Sequence, residues 1–337
     1  MGRNMKKWLE EVIDDPVKKA MPILSFPGIR LIHTDVGTLV RSSELQSECL
    51  YRISRRFDMG ISVSLMDLSV EAEAFGSGIR YSAGDIPTVC KTLIHNEEEA
   101  EALKIPKVGA GRTGIYAEGI KKACQKIQDR PVFAGMIGPY SLAGRLLDMT
   151  EIMILCYEAP EIVEAVLEKA VAFLIEYART FKEAGADGLM IAEPAAGLLS
   201  PALMEEFSNP YVKKIMEAVM DDEFLIIYHN CGSVMPMLRQ LEALGAPTYS
   251  FGNAVDLEEV LKVMPPDRLI MGNIDPAGTL RNSDAKGTAQ KTEELLSKCG
   301  RYKNFVPSSG CDIPPETPFE NIDVFFKTVN DYYKKFR

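Results

Sequence analysis

Short apolar runs rich in β-branched and aromatic residues recur along this 337-residue chain, each followed by a stretch whose apolar residues fall three and four apart. Eight such runs stand out, at 22–26, 61–66, 131–137, 187–192, 224–229, 247–252, 267–272 and 304–307. They are almost continuously apolar, the pattern of parallel strands covered on both faces. The clearest helical stretch is 160–184, where Ile162, Val163, Val166, Leu167, Ala170, Phe173, Leu174, Tyr177 and Phe181 share one face and Gly185 supplies a stop. Strand–helix alternation repeated in this way predicts an α/β fold: a single-domain (β/α)8 TIM barrel over 1–337, with a long insertion after the second strand. That insertion, 67–130, carries the turn-rich stretch Arg80–Pro87, which predicts a small hairpin. An open doubly wound sheet is the competing architecture. No Gly-x-Gly-x-x-Gly follows the first run, so its nucleotide-binding form has little support.

Composition narrows the partners. A net charge of -10 argues against nucleic acid, which calls for clustered Lys and Arg. No apolar run approaches the roughly 20 residues that span a bilayer, and Met1–Asp15 has no apolar signal core. The expectation is a cytoplasmic protein with no membrane partner. Seven cysteines, an odd number scattered through a large chain, do not read as a disulfide framework.

A barrel gathers its site at the C-terminal ends of its strands. Those positions hold Asp67, then Gly138 and Tyr140, then Glu193, His229 and Cys231, Asn253 and Asp256, Asn273 and Asp275, and lastly Cys311 and Asp312. In His229-Asn230-Cys231 the outer two side chains point the same way on an extended strand end. Imidazole and thiolate are both zinc ligands, and a return of the last strand to the same rim adds Cys311. Three protein ligands leave a fourth position open, as in catalytic sites. The plainer alternative is a hydrogen-bonded core histidine and two cysteines packing as small hydrophobes. Glu193 and Asp67 are the candidate catalytic carboxylates; Glu193 ranks above Asp256 for filling zinc's fourth position or accepting a proton, with a plain loop anion as its alternative. Asp67 has the alternative of capping the helix that begins near Ser69. Tyr140, Asn253, Asn273 and Asp275 are candidate substrate contacts; for Asn273 and Asp275 the alternative is turn chemistry. Arg112, in the Gly-rich stretch 109–114, is a candidate for holding an anion or else part of a plain connection.

The stretches GMIGP (135–139), ADGLMIAEP (186–194), GLLSP (197–201), GNIDP (272–276) and GCDIPPETP (310–318) resemble the uroporphyrinogen decarboxylase superfamily over nearly the whole chain. PILSFPG (22–28), MDLSVEAEAFG (66–76) and PKVGAGRTG (106–114) look like its branch of cobamide-dependent methyltransferases. That resemblance implies a zinc site of His-x-Cys…Cys type, falling here on His229, Cys231 and Cys311. It implies a methyl group passed from a methylcobamide, carried on a separate corrinoid protein, to a small-molecule acceptor. A thiol such as coenzyme M is the expected acceptor, with tetrahydrofolate as the alternative. Decarboxylation of a tetrapyrrole is a further alternative, and a corrinoid-handling protein without turnover is the non-catalytic one. The decarboxylases carry an arginine-rich N-terminal segment, whereas Pro22–Arg41 offers only Arg30 and Arg41.

Overall fold

The computed structural model describes residues 2–336. Nine strands occur among the described residues: β1 (Ser62–Val63), β2 (Gly78–Arg80), β3 (Thr88–Lys91), β4 (Val132–Ile137), β5 (Gly188–Ala192), β6 (Leu225–Asn230), β7 (Thr248–Phe251), β8 (Leu269–Ile274) and β9 (Phe305–Ser309). Seven form one sheet in the order β1-β4-β5-β6-β7-β8-β9, each parallel to its neighbour. The fold is mixed α/β of the TIM-barrel type, its parallel sheet curled so that all strand C-termini share one rim. The insertion contains the expected hairpin, β2 paired antiparallel with β3 around the turn at Tyr81–Pro87. The helix expected at 160–184 spans Pro160–Glu183, and Gly185 takes the left-handed φ of 95° that ends it.

One strand expectation fails in an instructive way. The run 22–26 is not a ladder strand, and a 3-10 turn begins at Phe26. Residues 20–23 nevertheless lie between the two edges of the sheet. Gly60 N–H donates to Ala20 O, Met21 N–H to Pro307 O, Ser308 Oγ to Met21 O, and Ile23 N–H to Ser309 Oγ. The barrel is therefore closed by an extended segment held by two backbone bonds and by two serine hydroxyls of β9. Pro22 has no N–H to give a ladder, and Pro27 favours the turn. The second run also shortens, from 61–66 to the two residues of β1.

Strand alternation sorts the core into two layers. Phe133, Met190, Leu225, Ile227, Met271 and Val306 belong to the barrel interior, together with Met5 and Leu9 of the N-terminal helix Met5–Asp14. That helix closes the bottom, with Trp8 placed 6.2 Å from Phe133. Ala134, Leu189, Ile191, Ile226 and Tyr228 face the surrounding helices. On β6 the interior series Leu225, Ile227 continues to His229, so the strand's own pleat aims the imidazole into the barrel mouth. Among the described residues no helix is long and apolar enough to cross a membrane.

Candidate metal centre and barrel mouth

His229 is 2% exposed. Its Nδ1 lies 3.0 Å from Ser250 Oγ, on the residue that faces it across the β6–β7 ladder. That contact fixes the ring plane and leaves Nε2 buried with no hydrogen-bond partner. Asn230, pointing to the other face as alternation requires, donates to Glu193 O (2.7 Å) and accepts from Gly232 N–H (2.8 Å). Cys231 and Cys311 are half-buried free thiols on loops from opposite parts of the sheet. Two glycines bring them together. A Cβ on Gly252 would lie 2.6 Å from Cys231 Cα, and one on Gly310 would lie 2.7 Å from Asn253 N. Backbone therefore packs on backbone from residue 231 through 252–253 to 310. One donor atom from each of His229, Cys231 and Cys311 then lies within 4.8 Å of the others.

The electrostatics of the set are asymmetric. The hydrogen bond from Cys311 and then the neighbouring His229 pull the Cys231 thiol well below its ordinary range, against the opposing effect of burial. Cys311 is held up by the same contact and by burial. A buried orphan imidazole nitrogen beside two thiols, one of them readily deprotonated, fits zinc, which takes nitrogen and sulfur donors in a tetrahedron. The Ser250 contact is the kind of outer hydrogen bond that orients ligating histidines.

On the β1 side of the rim, Asp67 is buried and accepts from Ser69 N–H (3.1 Å), Ser69 Oγ (2.6 Å), the Tyr116 phenol (2.8 Å) and the Arg112 guanidinium. Arg112 donates further to Glu73 Oε2 (2.6 Å) and to Ser69 Oγ (2.7 Å). Burial opposes its charge, and Asp67 with its neighbours more than offsets that, so its pKa moves up. The anion held by the Gly-rich loop's arginine is thus Asp67, inside the protein.

The uroporphyrinogen decarboxylase (URO-D) family model matches residues 16–332. The chain belongs to this family. Among curated relatives it is 30% identical over 272 residues to methylcobamide:CoM methyltransferase MtbA of Methanosarcina acetivorans, covering 79% of this chain and 78% of that one. It is 24% identical over 298 residues to a uroporphyrinogen decarboxylase of Dichelobacter nodosus, covering 86% and 84% of the two chains. A solved methyltransferase from Methanosarcina mazei superposes with a TM-score of 0.86 at 24% identity, covering 98% and 99%. By its likeness to these methyltransferases the chain is an enzyme, a methyltransferase.

The other candidate positions in this URO-D chain are placed as follows. Glu193 is fully buried, and its carboxylate takes the N–H groups of Tyr140 (3.0 Å) and Ser141 (2.6 Å) at the start of the helix Pro139–Leu147. Burial pushes it up to about 7, against those same hydrogen bonds. A Cβ on Gly138 would lie 2.6 Å from this carboxyl, so glycine is what lets Glu193 fold under the helix. Tyr140 itself is fully buried, with its phenol 3.7 Å from Cys156 Sγ in the outer helix Met149–Glu158. Asn273 donates to the carbonyls of Gly252 (2.9 Å) and Val255 (2.7 Å), tying β8 to the loop after β7. Asp275 caps the turn Pro276–Arg281 through Ala277 and Gly278 N–H. With exposed Asn253 they line a groove against the helix Ala285–Cys299, and none of the His229 set lines it. Residues not singled out from the sequence as ligand partners or buried acids are Ser250 and Glu71. Both owe their place to neighbours far away in the chain, Ser250 to His229 and Glu71 to Ile137.

Proposed function

We propose that the protein moves a methyl group from a methylated corrinoid, delivered on a separate corrinoid protein, to a thiol acceptor such as coenzyme M. The observation that carries this reading is the convergence of His229, Cys231 and Cys311 with an unpartnered imidazole nitrogen, in a chain 30% identical to a methylcobamide:CoM methyltransferase. Zinc held there would offer its remaining position to the acceptor sulfur and favour the thiolate, the reactive form of a thiol. The chain's own residues supply the rest. Ser250 orients His229, the glycines at 252 and 310 hold the two cysteine loops together, and Glu193, whose carboxyl accepts from Tyr140 and Ser141 N–H, has the role of fixing the helix Pro139–Leu147 at the rim. Asp67, saturated by Arg112, Ser69 and Tyr116, has the role of anchoring the insertion to the rim.

The test is demethylation of methylcobalamin by the full chain with coenzyme M, homocysteine and tetrahydrofolate in parallel, before and after chelation. The expected result is transfer to coenzyme M that chelation abolishes and zinc restores. Calorimetry of thiol binding in buffers of different ionisation enthalpy should show about one proton released. Turnover at the normal rate after the zinc is stripped overturns the zinc part of the proposal. Transfer to tetrahydrofolate alone overturns the thiol part, and no transfer to any acceptor overturns the reaction.

A further inference from the structure

Arginines that leave bulk water in this fold have partners. Arg112 and Arg130 are buried on carboxylates and carbonyls, and half-buried Arg3, Arg30 and Arg268 each meet a carboxylate or a carbonyl. Arg145 is different. It is half-buried, and among the described residues it makes no hydrogen bond and no ion pair. Partial burial of a guanidinium without a counter-charge is unfavourable, and burial alone accounts for the downward push on its pKa. It sits one helical turn after Ser141 on the helix Pro139–Leu147, and residues four apart share a face. Ser141 Oγ accepts from Ala195 N–H (3.1 Å), so that face looks onto the turn Pro194–Leu198 after β5.

Between them lies a cavity of about 210 Å³, lined by Arg145 and Ser141 with Leu68, Ile137, Pro194 and Leu198. Leu68, Ile137 and Pro194 follow or end β1, β4 and β5, which places the cavity on the same rim as the His229 set. The Pro194–Leu198 turn borders this cavity through Pro194 and Leu198. On its far side Gly197 packs against Gly232, where a Cβ would lie 2.9 Å from Gly232 Cα, next to Cys231. An apolar pocket with one uncompensated guanidinium suits a small organic molecule with an oxoanion at one end.

We propose that Arg145 and this cavity bind the anionic end of the methyl acceptor, so that the enzyme selects a short thiol bearing a sulfonate or carboxylate. The inference rests on the thiol-acceptor reading for the identity of the ligand, and the anion site itself can be tested without it. Ethanesulfonate and propionate, which have the anion and no thiol, are titrated into the full chain with and without zinc. Wild type should bind at least one of them independently of zinc, and the stronger binder names the oxoanion. Arg145→Met should weaken that binding roughly 10- to 100-fold, as expected for a hydrogen bond to a charged group, and Arg145→Lys should retain part of it. Arg145→Met leaves no buried partner unpaired, and thermal unfolding of both variants checks the fold. In turnover, the kcat/KM preference for 2-mercaptoethanesulfonate over uncharged 2-mercaptoethanol should fall by a similar factor in Arg145→Met, with the KM for methylcobalamin unchanged. No anion binding to wild type, equal binding in Arg145→Met, or an effect confined to methylcobalamin overturns the proposal. Absence of any methyl transfer, with ethanesulfonate binding still lost in Arg145→Met, sinks the reaction proposed above and leaves the anion site standing.

Discussion

Two sides of one barrel rim treat buried polar groups in opposite ways. Beside β1, both Asp67 oxygens have partners, and the Arg112 guanidinium meets Asp67, Glu73, Ser69 and Tyr116. Beside β6 and β9, His229 Nε2 has no partner, and two thiols face it. Both sets are rich in groups that can do chemistry, so residue type does not separate them. Satisfaction does. A saturated network is rigid and has little left to offer a ligand, whereas an unpaired buried donor set is a standing cost that a bound group can offset.

The largest test of this contrast is removal of one member of the unsaturated set. Cys311→Ala should reduce zinc from one per chain to background and abolish methyl transfer. It should leave the unfolding free energy within about 1 kcal/mol, since a ligand at the mouth contributes little to the core. Elemental analysis and denaturant unfolding check both halves. Retention of zinc in the variant would remove Cys311 from the ligand set and with it the contrast.

The opposite change on the other side should give the opposite result. Arg112→Met strands the buried Asp67 carboxylate and unpairs Glu73. Breaking a buried pair in this way costs about 3–5 kcal/mol. Unfolding in urea should show that loss, with zinc still bound at one per chain in the folded protein. A variant of unchanged stability that no longer binds zinc would mean that the network belongs to the metal site.

The sequence revealed the unsaturated set better than the saturated one, for a physical reason. His229 and Cys231 are two apart on a strand, and period-two alternation fixes their common direction without knowledge of the rest of the fold. Their union with Cys311 needed the barrel, which the repeated apolar runs predict. Asp67 and Arg112 lie 45 residues apart, in a loop and at a helix start, where no periodicity says that they meet. Arg112 therefore reads from sequence as a holder of external anions. Arg145 gives still less signal, because its distinguishing property is the absence of a partner. Seven of the eight runs are sheet strands. The exception, 22–26, keeps its place in the barrel and loses its ladder: Pro22 has no N–H to donate, and the hydroxyls of Ser308 and Ser309 pair with Met21 O and Ile23 N–H.

A smaller effect sharpens the metal side. Ser250 is fully buried, and its Oγ meets His229 Nδ1 at 3.0 Å. Ser250→Ala should lower zinc affinity roughly 10- to 100-fold, the usual effect of losing such an outer hydrogen bond. Competition with a zinc chelator measures it. An unchanged affinity would mean that the ring is held by packing alone.

The last expected effect concerns Glu71, the acid that breaks the rule on the saturated side. It is 2% exposed; Oε1 accepts from Ile137 N–H at 3.2 Å, and Oε2 has no partner. Burial raises its pKa from 4.5 to about 8, the Ile137 hydrogen bond and nearby Arg112 pull the other way, and Asp67 adds to the rise. Tyr177, on the helix packed against it, is neutral at these pH values because its own pKa is raised further by burial and by Glu71. The folded protein therefore holds a proton on Glu71 that the unfolded chain has released. The resulting stability is complete below about 4.5 and is lost as pH rises through about 8. In the middle of that window the slope is about -1.4 kcal/mol per pH unit, one proton's worth. Glu71→Gln keeps the shape and an acceptor for Ile137 N–H, and its amide cannot ionise. The difference in unfolding free energy between variant and wild type should therefore grow in the variant's favour from pH 5.5 to 7.5, and then level off. Parallel pH profiles for the two proteins would show that Glu71 is ionised in the fold, and that its second oxygen has found a donor on the saturated side after all.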